Sequence, residues 1–466
     1  MKRFFLFILF LALLPAGIQA KKTKENAGEQ PLLRVGVLSD VHVYNDAMDS
    51  IFRDALQWYR KRDIDAMILA GDFTVDGVEA DMARVAKTWF SVFPKDKGRK
   101  GRHVERVFVY GNHEIDGTRY GNAIKRWTRE DLQTYAIKDH RAEYWKKYFR
   151  EPYSDFYRKD IKGYTFLAAH YQNGRENPGM GAFFRAQDPT LPKDKPIFYI
   201  QHKHPKWTIP WGSDNGNSTR ILKNYPNLIC FSGHCHISLV DERSIWQKTF
   251  TSVNTASLVR RGIRSLHENA KVASKDKDYV PQMARHSCKD SHEGMLMLVY
   301  ADRVELHRMD LGHDEELGVW IIPNDVTQRP YRYDTRKAQA ALNPPQFTGD
   351  DAVRVRRAMG KDRNKAATPQ VQVFFPVVVS HGSRPRALDY SVTAEQVAGD
   401  STIVLLRRLV TSPGFYLVEA RDRANEAKCY FAESALPKGV PIRFAVRPRD
   451  SWENEGEAIY SEPIVL

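Results

Sequence analysis

The strongest constraint on the fold is an alternation of short apolar runs with segments of helical periodicity through the first half of the chain. The first two apolar runs cover residues 32–38 and 64–70, and between them a segment from about Ala47 to Lys61 places its apolar residues on one face of a helix. Such alternation predicts βαβ units and a largely parallel, buried sheet. In these sheets, functional groups collect beyond the carboxyl ends of the strands.

The apolar runs also share the kind of residue that follows them. Runs ending at residues 38, 70 and 110 precede D-x-H, G-D and G-N-H-E, and runs ending at 200 and 231 lead into H-x-H and G-H-x-H. Any one of these side chains is compatible with a turn or a helix cap. Their joint occurrence after successive strands predicts a metal site. Carboxylate, carboxamide and imidazole ligands suit Mn, Fe and Zn, whereas the lack of a cysteine cluster argues against a structural zinc site.

This series of motifs resembles the calcineurin-like metallophosphoesterase superfamily, in a secreted bacterial type, over about residues 34–311. The resemblance implies an α/β fold, a two-sheet sandwich flanked by helices, with two metal ions at one edge. Carried over to this sequence, it assigns one metal to Asp40, His42, Asp72 and His236 and the other to Asp72, Asn112, His202 and His234, with Asp72 bridging them. His113 matches the family histidine that contacts the scissile phosphate and protonates or stabilises the leaving oxygen.

Several positions near these motifs leave alternatives open. His202 is in the family position, but His204 lies on the same side of an extended chain and is an alternative ligand or a substrate contact. We expect Glu114 and Asp116 to orient imidazoles, with simple surface exposure an alternative for Asp116. Purple acid phosphatases carry a tyrosine ligand where this chain has Val75, so an iron–tyrosinate site is not expected.

The predicted function is hydrolysis of phosphate monoesters or diesters by attack of a metal-bridging hydroxide. Two metals about 4 Å apart clamp phosphate oxygens and lower the pKa of a bridging water. The expected substrate is a phosphorylated small molecule or a lipid headgroup. Arg175, Arg260 and Arg261 in two loops are candidates for binding a second anion, with ordinary surface exposure as the alternative. The alternatives are a non-catalytic binding or scaffolding protein on the same fold, and a nuclease.

The first twenty residues have the pattern of a secretory signal peptide. Lys2 and Arg3 precede an apolar run over residues 4–14, and Ala20 offers a small residue for cleavage. A membrane anchor is the competing interpretation, but the run is shorter than the roughly 20 residues needed to span a bilayer. The sequence therefore predicts export to the periplasm or the outside of the cell, with no transmembrane segment in the mature protein.

Charge and cysteine content narrow the function classes further. The formal charge is +14, but the basic residues are scattered without aromatic residues interleaved. This distribution is typical of a solvated basic surface more than of a nucleic-acid interface. Four cysteines are too few for a disulfide-built scaffold in a chain of 466 residues. Their pairing and the oligomeric state are not specified by the sequence, and Cys235 is expected to line a wall beside the site.

The composition changes after Leu311. Residues 312–345 lack clear periodicity and are predicted to be a linker or a packed extension. From 346 to 466, about seven short strand patterns separated by turn residues predict a smaller all-β domain of fibronectin or immunoglobulin type. The predicted organisation is a signal peptide (1–20), a linker (21–31), a catalytic domain (32–311), the segment 312–345 and a β-sandwich domain (346–466).

Overall fold

A computed structural model describes the protein over residues 29–120, 125–172, 177–209, 212–259, 292–348, 352–361, 366–378, 380, 385–399, 401–412, 415 and 425–466. The predicted signal peptide lies outside these residues, as do Cys288 and the three loop arginines Arg175, Arg260 and Arg261. Among the helices that are described, none is both long enough and apolar enough to cross a membrane.

The strands and helices are numbered here in chain order. The described strands are β1 Leu33–Leu38, β2 Ala66–Leu69, β3 Glu105–Phe108, β4 Phe156–Ile161, β5 Tyr164–Ala169, β6 Ile197–Ile200, β7 Leu228–Ser232, β8 Ile245–Gln247, β9 Thr251–Asn254, β10 Glu293–Val299, β11 Arg303–Asp310, β12 Glu315–Pro323, β13 Arg354–Lys361, β14 Ala367–Pro376, β15 Asp389–Ala398, β16 Ser401–Thr411, β17 Glu426–Ala432, β18 Pro441–Arg449, β19 Ile459–Tyr460 and β20 Ile464–Val465. The described helices are α1 Asp46–Lys61, α2 Glu79–Val92, α3 Asn112–Asp116, α4 Arg129–Thr134, α5 Arg141–Tyr144, α6 Met180–Gln187, α7 Asn217–Leu222 and α8 Arg329–Leu342.

Two six-stranded sheets form the N-terminal part, with strand orders β12-β11-β10-β1-β2-β3 and β4-β5-β6-β7-β9-β8. The predicted fold class, a two-sheet sandwich flanked by helices, is confirmed. Strands β1, β2 and β3 are parallel, as are β5, β6, β7 and β9. Strands β10 to β12, β4 and β8 pair antiparallel, so the predicted parallel arrangement covers only part of each sheet.

The two sheets bury their facing sides against each other. Val37 and Ile68 from the first sheet belong to the same buried cluster as Phe198 and Phe231 from the second. Helices α1 and α2 cover the outer face of the first sheet through a second cluster, and α6 and α7 cover the outer face of the second sheet. Because both faces are covered, the central strands are mostly apolar, with exceptions such as Arg34 on β1 and Thr165 on β5, and the predicted ligands follow where strands end.

Helix α1 begins close to the carboxyl end of β1 because its first turn is capped. Asn45 accepts a hydrogen bond from the Met48 backbone N–H at 3.0 Å, and Asp46 and Asp49 place negative charge at the positive end of the helix dipole. The buried face, which includes Phe52, packs into the outer cluster of the first sheet. The cap therefore fixes where the loop after β1 ends.

The segment 312–345 is structured. Strand β12 forms the edge of the first sheet, and α8 follows it. At the start of α8 the buried side chain of Arg329 donates hydrogen bonds to the carbonyl oxygens of Pro323, Pro226 and Asn227 at 3.0, 2.8 and 3.3 Å. These contacts tie the segment to the second sheet and favour a packed extension over a free linker. The domain limits themselves stay predictions.

The C-terminal part consists of a three-stranded sheet, β13-β14-β17, and a sheet ordered β16-β15-β18-β19, with β20 also paired to β18. One buried cluster that includes Phe375, Tyr390, Phe431 and Phe444 joins them. The predicted all-β domain is thereby confirmed as a fold class.

A buried histidine behind the third strand leads to a pH prediction. His170 lies among the rings of Tyr110, Trp145 and Tyr153, and its Nδ1 accepts the Tyr110 backbone N–H at 3.0 Å. Burial lowers the pKa of His170 to about 3. The unfolded chain, with a histidine pKa near about 6.5, then binds more protons, so the free energy of unfolding falls as the pH drops from about 6.5 toward about 3.

We expect His170→Asn to reduce the slope of the free energy of unfolding against pH. The reduction is at most about 1.4 kcal/mol per pH unit, which corresponds to about one proton. The Asn side-chain oxygen can accept the same backbone N–H but does not titrate. Urea unfolding of both proteins at a series of pH values between 4 and 7 measures the two slopes. The exposed residue His103 supplies a control, His103→Asn. Parallel curves for wild type and His170→Asn would show that His170 titrates normally.

Candidate metal centre

The loops after β1, β2, β3, β6 and β7 bring the seven predicted metal ligands to one place. Ligand atoms of Asp40, His42, Asp72 and His236 lie within 4.8 Å of one another, as do those of Asp72, His202 and His234. Asn112 joins the second group, because its Oδ1 lies 2.9 Å from His202 Nε2. Asp72 belongs to both groups. The assignment of these residues as ligands stays a prediction, and their convergence is a fact of the structure.

The backbone of these loops is bent in an unusual way. Asp40, His42, Asp72, His234 and His236 all have positive φ, between 48° and 70°. Residues other than glycine seldom adopt this left-handed conformation, and it persists only where the surrounding structure holds it, often at functional sites. Five of the seven predicted ligands are therefore held in strained turns that direct their side chains toward a common point.

Two motif glycines are required by close packing. A Cβ atom on Gly111 would collide with Asp72 Oδ1, and one on Gly233 would collide with Asp40 Oδ2. Each glycine precedes a predicted ligand on its own loop and gives space to a ligand from another loop. Any larger residue would therefore push a carboxylate out of the site.

Asp72 is oriented to face both groups. Its Oδ1 accepts the His113 backbone N–H at 2.8 Å, while its Oδ2 lies 3.1 Å from His202 Nε2 and 4.0 Å from His42 Nε2. Burial acts to raise the pKa of Asp72, but the neighbouring histidines, His202 above all, hold it well below its usual value. The carboxylate is thus ionised, with one oxygen placed between the two groups.

Asp40 is held by a shell of hydroxyl groups that the sequence did not reveal. Its Oδ2 accepts hydrogen bonds from Ser39 Oγ at 2.6 Å and from the His234 backbone N–H at 3.0 Å, which leaves Oδ1 at 2.8 Å from His236 Nε2. Ser257 Oγ donates to the Asp40 carbonyl at 3.0 Å. Ser257 lies just after β9 in a Thr-Ala-Ser sequence, and nothing in that sequence resembles a ligand motif.

The polar atoms around His202 fit a cation. His202 Nδ1 lies 2.8 Å from the Ala70 carbonyl oxygen, which can only accept, so this nitrogen carries a proton. Nε2 then faces two more acceptors, Asn112 Oδ1 at 2.9 Å and Asp72 Oδ2 at 3.1 Å. Although burial acts to lower it, Asp72 raises the pKa of His202 to about 9, so a second proton would bind here if no metal did.

The polar atoms of the other ligand group, Asp40, His42, Asp72 and His236, also fit a cation. His42 Nε2 and His236 Nε2 lie 3.4 Å apart, close to Asp40 Oδ1. Two imidazole nitrogens and a carboxylate oxygen thus converge on one small region, as ligand atoms do around a metal ion. Both groups consist of oxygen and imidazole ligands, which suit Mn, Fe or Zn. The residues present therefore fit a metal ion in each group.

His113 lies beside the metal ligands with one ring nitrogen free to act. Its Nδ1 lies 2.6 Å from the Val75 carbonyl oxygen and must donate to it, so Nε2 is the unprotonated nitrogen of the neutral ring. The ring centroid is 4.6 Å from that of His42 and 4.5 Å from that of Tyr120. No described residue forms a hydrogen bond with Nε2. This arrangement suits a group that exchanges a proton with a substrate.

The expectation that Glu114 orients an imidazole is wrong. Its carboxylate accepts the backbone N–H groups of Asp72, Gly111 and Thr74 at 3.0, 2.7 and 2.8 Å, and the Thr74 hydroxyl at 2.9 Å. Because α3 begins at Asn112, its first turn directs Glu114 back at the ends of β2 and β3. Glu114 therefore joins the two loops that carry the bridging carboxylate and Asn112.

The expectation for Asp116 is also wrong. Asp116 accepts a hydrogen bond from the Tyr171 hydroxyl at 3.3 Å and lies 3.5 Å from Arg119 Nη1. The last residue of a one-turn helix faces away from the strand ends, so it meets these outer side chains and no imidazole. The Asp116 side chain is 17% exposed, so the alternative of simple surface exposure does not describe it either.

The two alternatives at the end of β6 have different surroundings. His202 is a member of the second ligand group, whereas His204 belongs to neither group that the described residues form. Burial lowers the pKa of His204 to about 3, so it is a neutral buried side chain. The geometry favours His202 as the ligand. Cys235, expected to be a wall residue, is buried and lies 2.9 Å from Asn254 Oδ1.

Arg126 is a further residue that the sequence gave no reason to select. It donates to Asp76, to Asp81 at 2.8 Å and to the Tyr44 carbonyl at 2.9 Å. Tyr44 and Asp76 lie in the loops after β1 and β2. The guanidinium thus fixes two ligand-bearing loops to each other from outside the metal site.

A two-sheet sandwich with two oxygen- and imidazole-rich groups that share one carboxylate is the architecture of a metal-dependent phosphoesterase domain. Residues 33–238 match the family model for calcineurin-like phosphoesterases. These residues are a domain of the calcineurin-like metallophosphoesterase superfamily, and the protein is a hydrolase of phosphoric ester bonds with two metal ions as cofactors, whose identity is open. A search of curated proteins found no match.

Several solved structures resemble the chain at low sequence identity. A dimetal phosphatase from Danio rerio is 10% identical, with 64% of this chain and 100% of that chain covered and a TM-score of 0.36. A purple acid phosphatase from yellow lupin seeds is 11% identical, with 62% and 53% covered and a TM-score of 0.39. The anchor protein of the inner membrane complex of Plasmodium is 10% identical, with 65% and 94% covered and a TM-score of 0.35.

Proposed function

We propose that the protein is an exported phosphoesterase that hydrolyses a phosphate monoester or diester of a small molecule or lipid headgroup. The observation that carries the proposal is the pair of ligand groups that share Asp72, with the open Nε2 of His113 beside them. Export rests on the signal-peptide pattern of residues 1–20.

The residues of the site have two kinds of role: some determine the charge of the metal centre, and one transfers a proton. When bound, two metal ions neutralise phosphate oxygens and lower the pKa of a coordinated water. Asp72 provides negative charge to both sites, whereas Asn112 contributes a neutral oxygen to one of them. The neutral ligand limits the negative charge of the centre, so that the site still attracts an anionic ester.

His113 is placed to act on the leaving oxygen. The Val75 carbonyl fixes the proton on Nδ1 and thereby the orientation of the ring. In the imidazolium form, Nε2 can donate a proton to the oxygen that leaves from phosphorus, a contribution of about 10²- to 10⁴-fold in rate. The rest of the barrier is lowered by charge neutralisation and by holding the ester in line.

The alternative of a non-catalytic binding protein has less support from the site. Such a protein would tolerate the loss of a ligand, but all seven predicted ligands are present and converge.

The test is a substrate screen of the purified mature protein, residues 21–466, after removal of metal and reconstitution with Mn, Fe or Zn. Candidate substrates are phosphate monoesters, phosphodiesters, nucleotides, phospholipid headgroups and short nucleic acids. We expect metal-dependent turnover of a small ester or headgroup that a chelator abolishes. A protein that binds two metals but turns over none of these would be a binding protein, and turnover confined to nucleic acid would make it a nuclease.

A further inference from the structure

Tyr120 contacts two neighbours with different predicted roles. Its hydroxyl accepts a hydrogen bond from Asn112 Nδ2 at 2.9 Å. Its ring lies 4.5 Å from the ring of His113 with 31° between the planes. Tyr120 follows α3 by a few residues and is 38% exposed. One side chain at the mouth of the site therefore touches both a predicted metal ligand and the predicted proton donor.

The hydroxyl determines which end of the Asn112 amide faces the metal group. With Nδ2 donating to Tyr120, Oδ1 is directed at His202 Nε2, 2.9 Å away. The opposite orientation would place an N–H₂ group, which only donates, among the metal ligands, where it would repel a cation. A phenolic oxygen can accept the amide proton, whereas a phenyl ring at the same position cannot.

The ring determines how His113 is held. The rings of His42 and His113 meet edge to face at 4.6 Å and 86°, and the Tyr120 ring lies over the imidazole of His113, tilted by 31°. Together with the hydrogen bond to Val75, these contacts leave Nε2 few directions in which to point. A smaller side chain at position 120 would expose the imidazole face and allow the ring to tilt.

The segment around Tyr120 has another attachment to the domain. Arg126, six residues further on, donates to Asp76, Asp81 and the Tyr44 carbonyl. Arg119 pairs locally with Asp116 of α3 at 3.5 Å. Among the described residues, the contacts of Tyr120 with Asn112 and His113 are therefore not the only ones that hold this segment.

We propose that Tyr120 is a positioning residue with two separable roles. Its hydroxyl orients the Asn112 amide toward the metal site formed by Asp72, Asn112, His202 and His234. Its ring orients the His113 imidazole for proton transfer. The second role rests on the proposed function, whereas the first concerns metal binding alone. Residues that orient a metal ligand typically contribute about 10- to 100-fold to metal affinity.

The metal experiment compares Tyr120→Phe with Tyr135→Phe, since Tyr135 has a similar exposure of 41% and directly follows α4, at the C-cap position. Calorimetric titration of the metal-free proteins with Mn²⁺ measures both affinities. We expect Tyr120→Phe to weaken one of the two sites by about tenfold or more and to leave the other site and the unfolding temperature of the metal-free protein unchanged. Equal affinities in the two variants, or equal weakening of both sites, would overturn the first role.

The kinetic experiment uses Tyr120→Leu at saturating Mn²⁺. Compared with Tyr120→Phe, we expect Tyr120→Leu to lose more turnover on an alkyl phosphate than on a nitrophenyl phosphate, because only the alkoxide leaving group needs protonation. An equal fall on both substrates would overturn the second role. If wild-type protein bound two metals without turning over any ester, the proposed function would fail, and the titration would still decide the role of the hydroxyl.

Discussion

Replacing Asp72 with Asn should remove at least one of the two metals and reduce turnover by about 10³-fold or more. Asp72 is the only residue common to both ligand groups in the described part of the chain, and its Oδ2 lies between them. An amide has no charge to place there. Because two-metal charge neutralisation contributes several kcal/mol and each 1.36 kcal/mol is tenfold in rate, losing it costs about three powers of ten or more.

The matched control is Asp54→Asn, which makes the same chemical change at an exposed position on α1. Metal content by elemental analysis and turnover of the best substrate are measured on both variants. Asp54→Asn should retain two metals and full activity. If Asp72→Asn kept both metals and its turnover stayed within a few-fold of wild type, Asp72 would not bridge.

The second large effect is expected at His113. His113→Ala should retain both metals, because the backbone N–H that holds Asp72 Oδ1 remains. It should lose about 10²- to 10⁴-fold in turnover, the usual contribution of general acid catalysis. Asn112→Ala, by contrast, should weaken metal binding as well as rate. The comparison separates the side chain that acts on the ester from its neighbour that holds a metal.

The choice of ester decides what His113 does. The loss in His113→Ala should be smaller for a nitrophenyl phosphate than for an alkyl phosphate, since a nitrophenolate leaves without protonation. Equal losses on the two esters would mean that His113 mainly binds the phosphate. Full activity of the metal-loaded variant would remove it from the mechanism. His103→Ala, at an exposed histidine, controls for the loss of an imidazole as such.

The sequence was most informative where buried parallel strands end. The central strands are mostly apolar, so the polar motifs that follow them mark the sheet edge, and residues from five such places meet in the structure. Asp40, Asp72 and His202 could be selected for that reason alone. Their division between two metals came from the family resemblance, and the strand pattern contains no information about it.

The antiparallel strands are harder to predict from the sequence than the parallel ones. Strand β11 alternates between buried and partly buried positions, and β12 shows a similar mixture. Polar side chains on the less buried positions interrupt the apolar run that identified the central strands. For this reason the sequence of β12 shows no clear periodicity, although Trp320 and Ile322 on it are fully buried.

The residues that support the ligands were missed for a different reason. Tyr120, Arg126 and Ser257 reach the site from loops, and each contact depends on how two distant segments meet. The position of Glu114 directly after a metal-ligand motif predicts an imidazole partner, but a one-turn helix directs its carboxylate at backbone N–H groups. Local sequence patterns report which residues follow a strand, and they do not report what those residues face.

The number of metal ions bound per chain tests the central claim most directly. Mature protein stripped of metal, reconstituted with Mn, Fe or Zn and freed of excess ion is analysed for metal and protein in the same sample. The account predicts two ions per chain, with the double occupancy lost in Asp72→Asn and retained in Asp54→Asn. A ratio that stays at one or zero for all three metals would contradict a dinuclear centre.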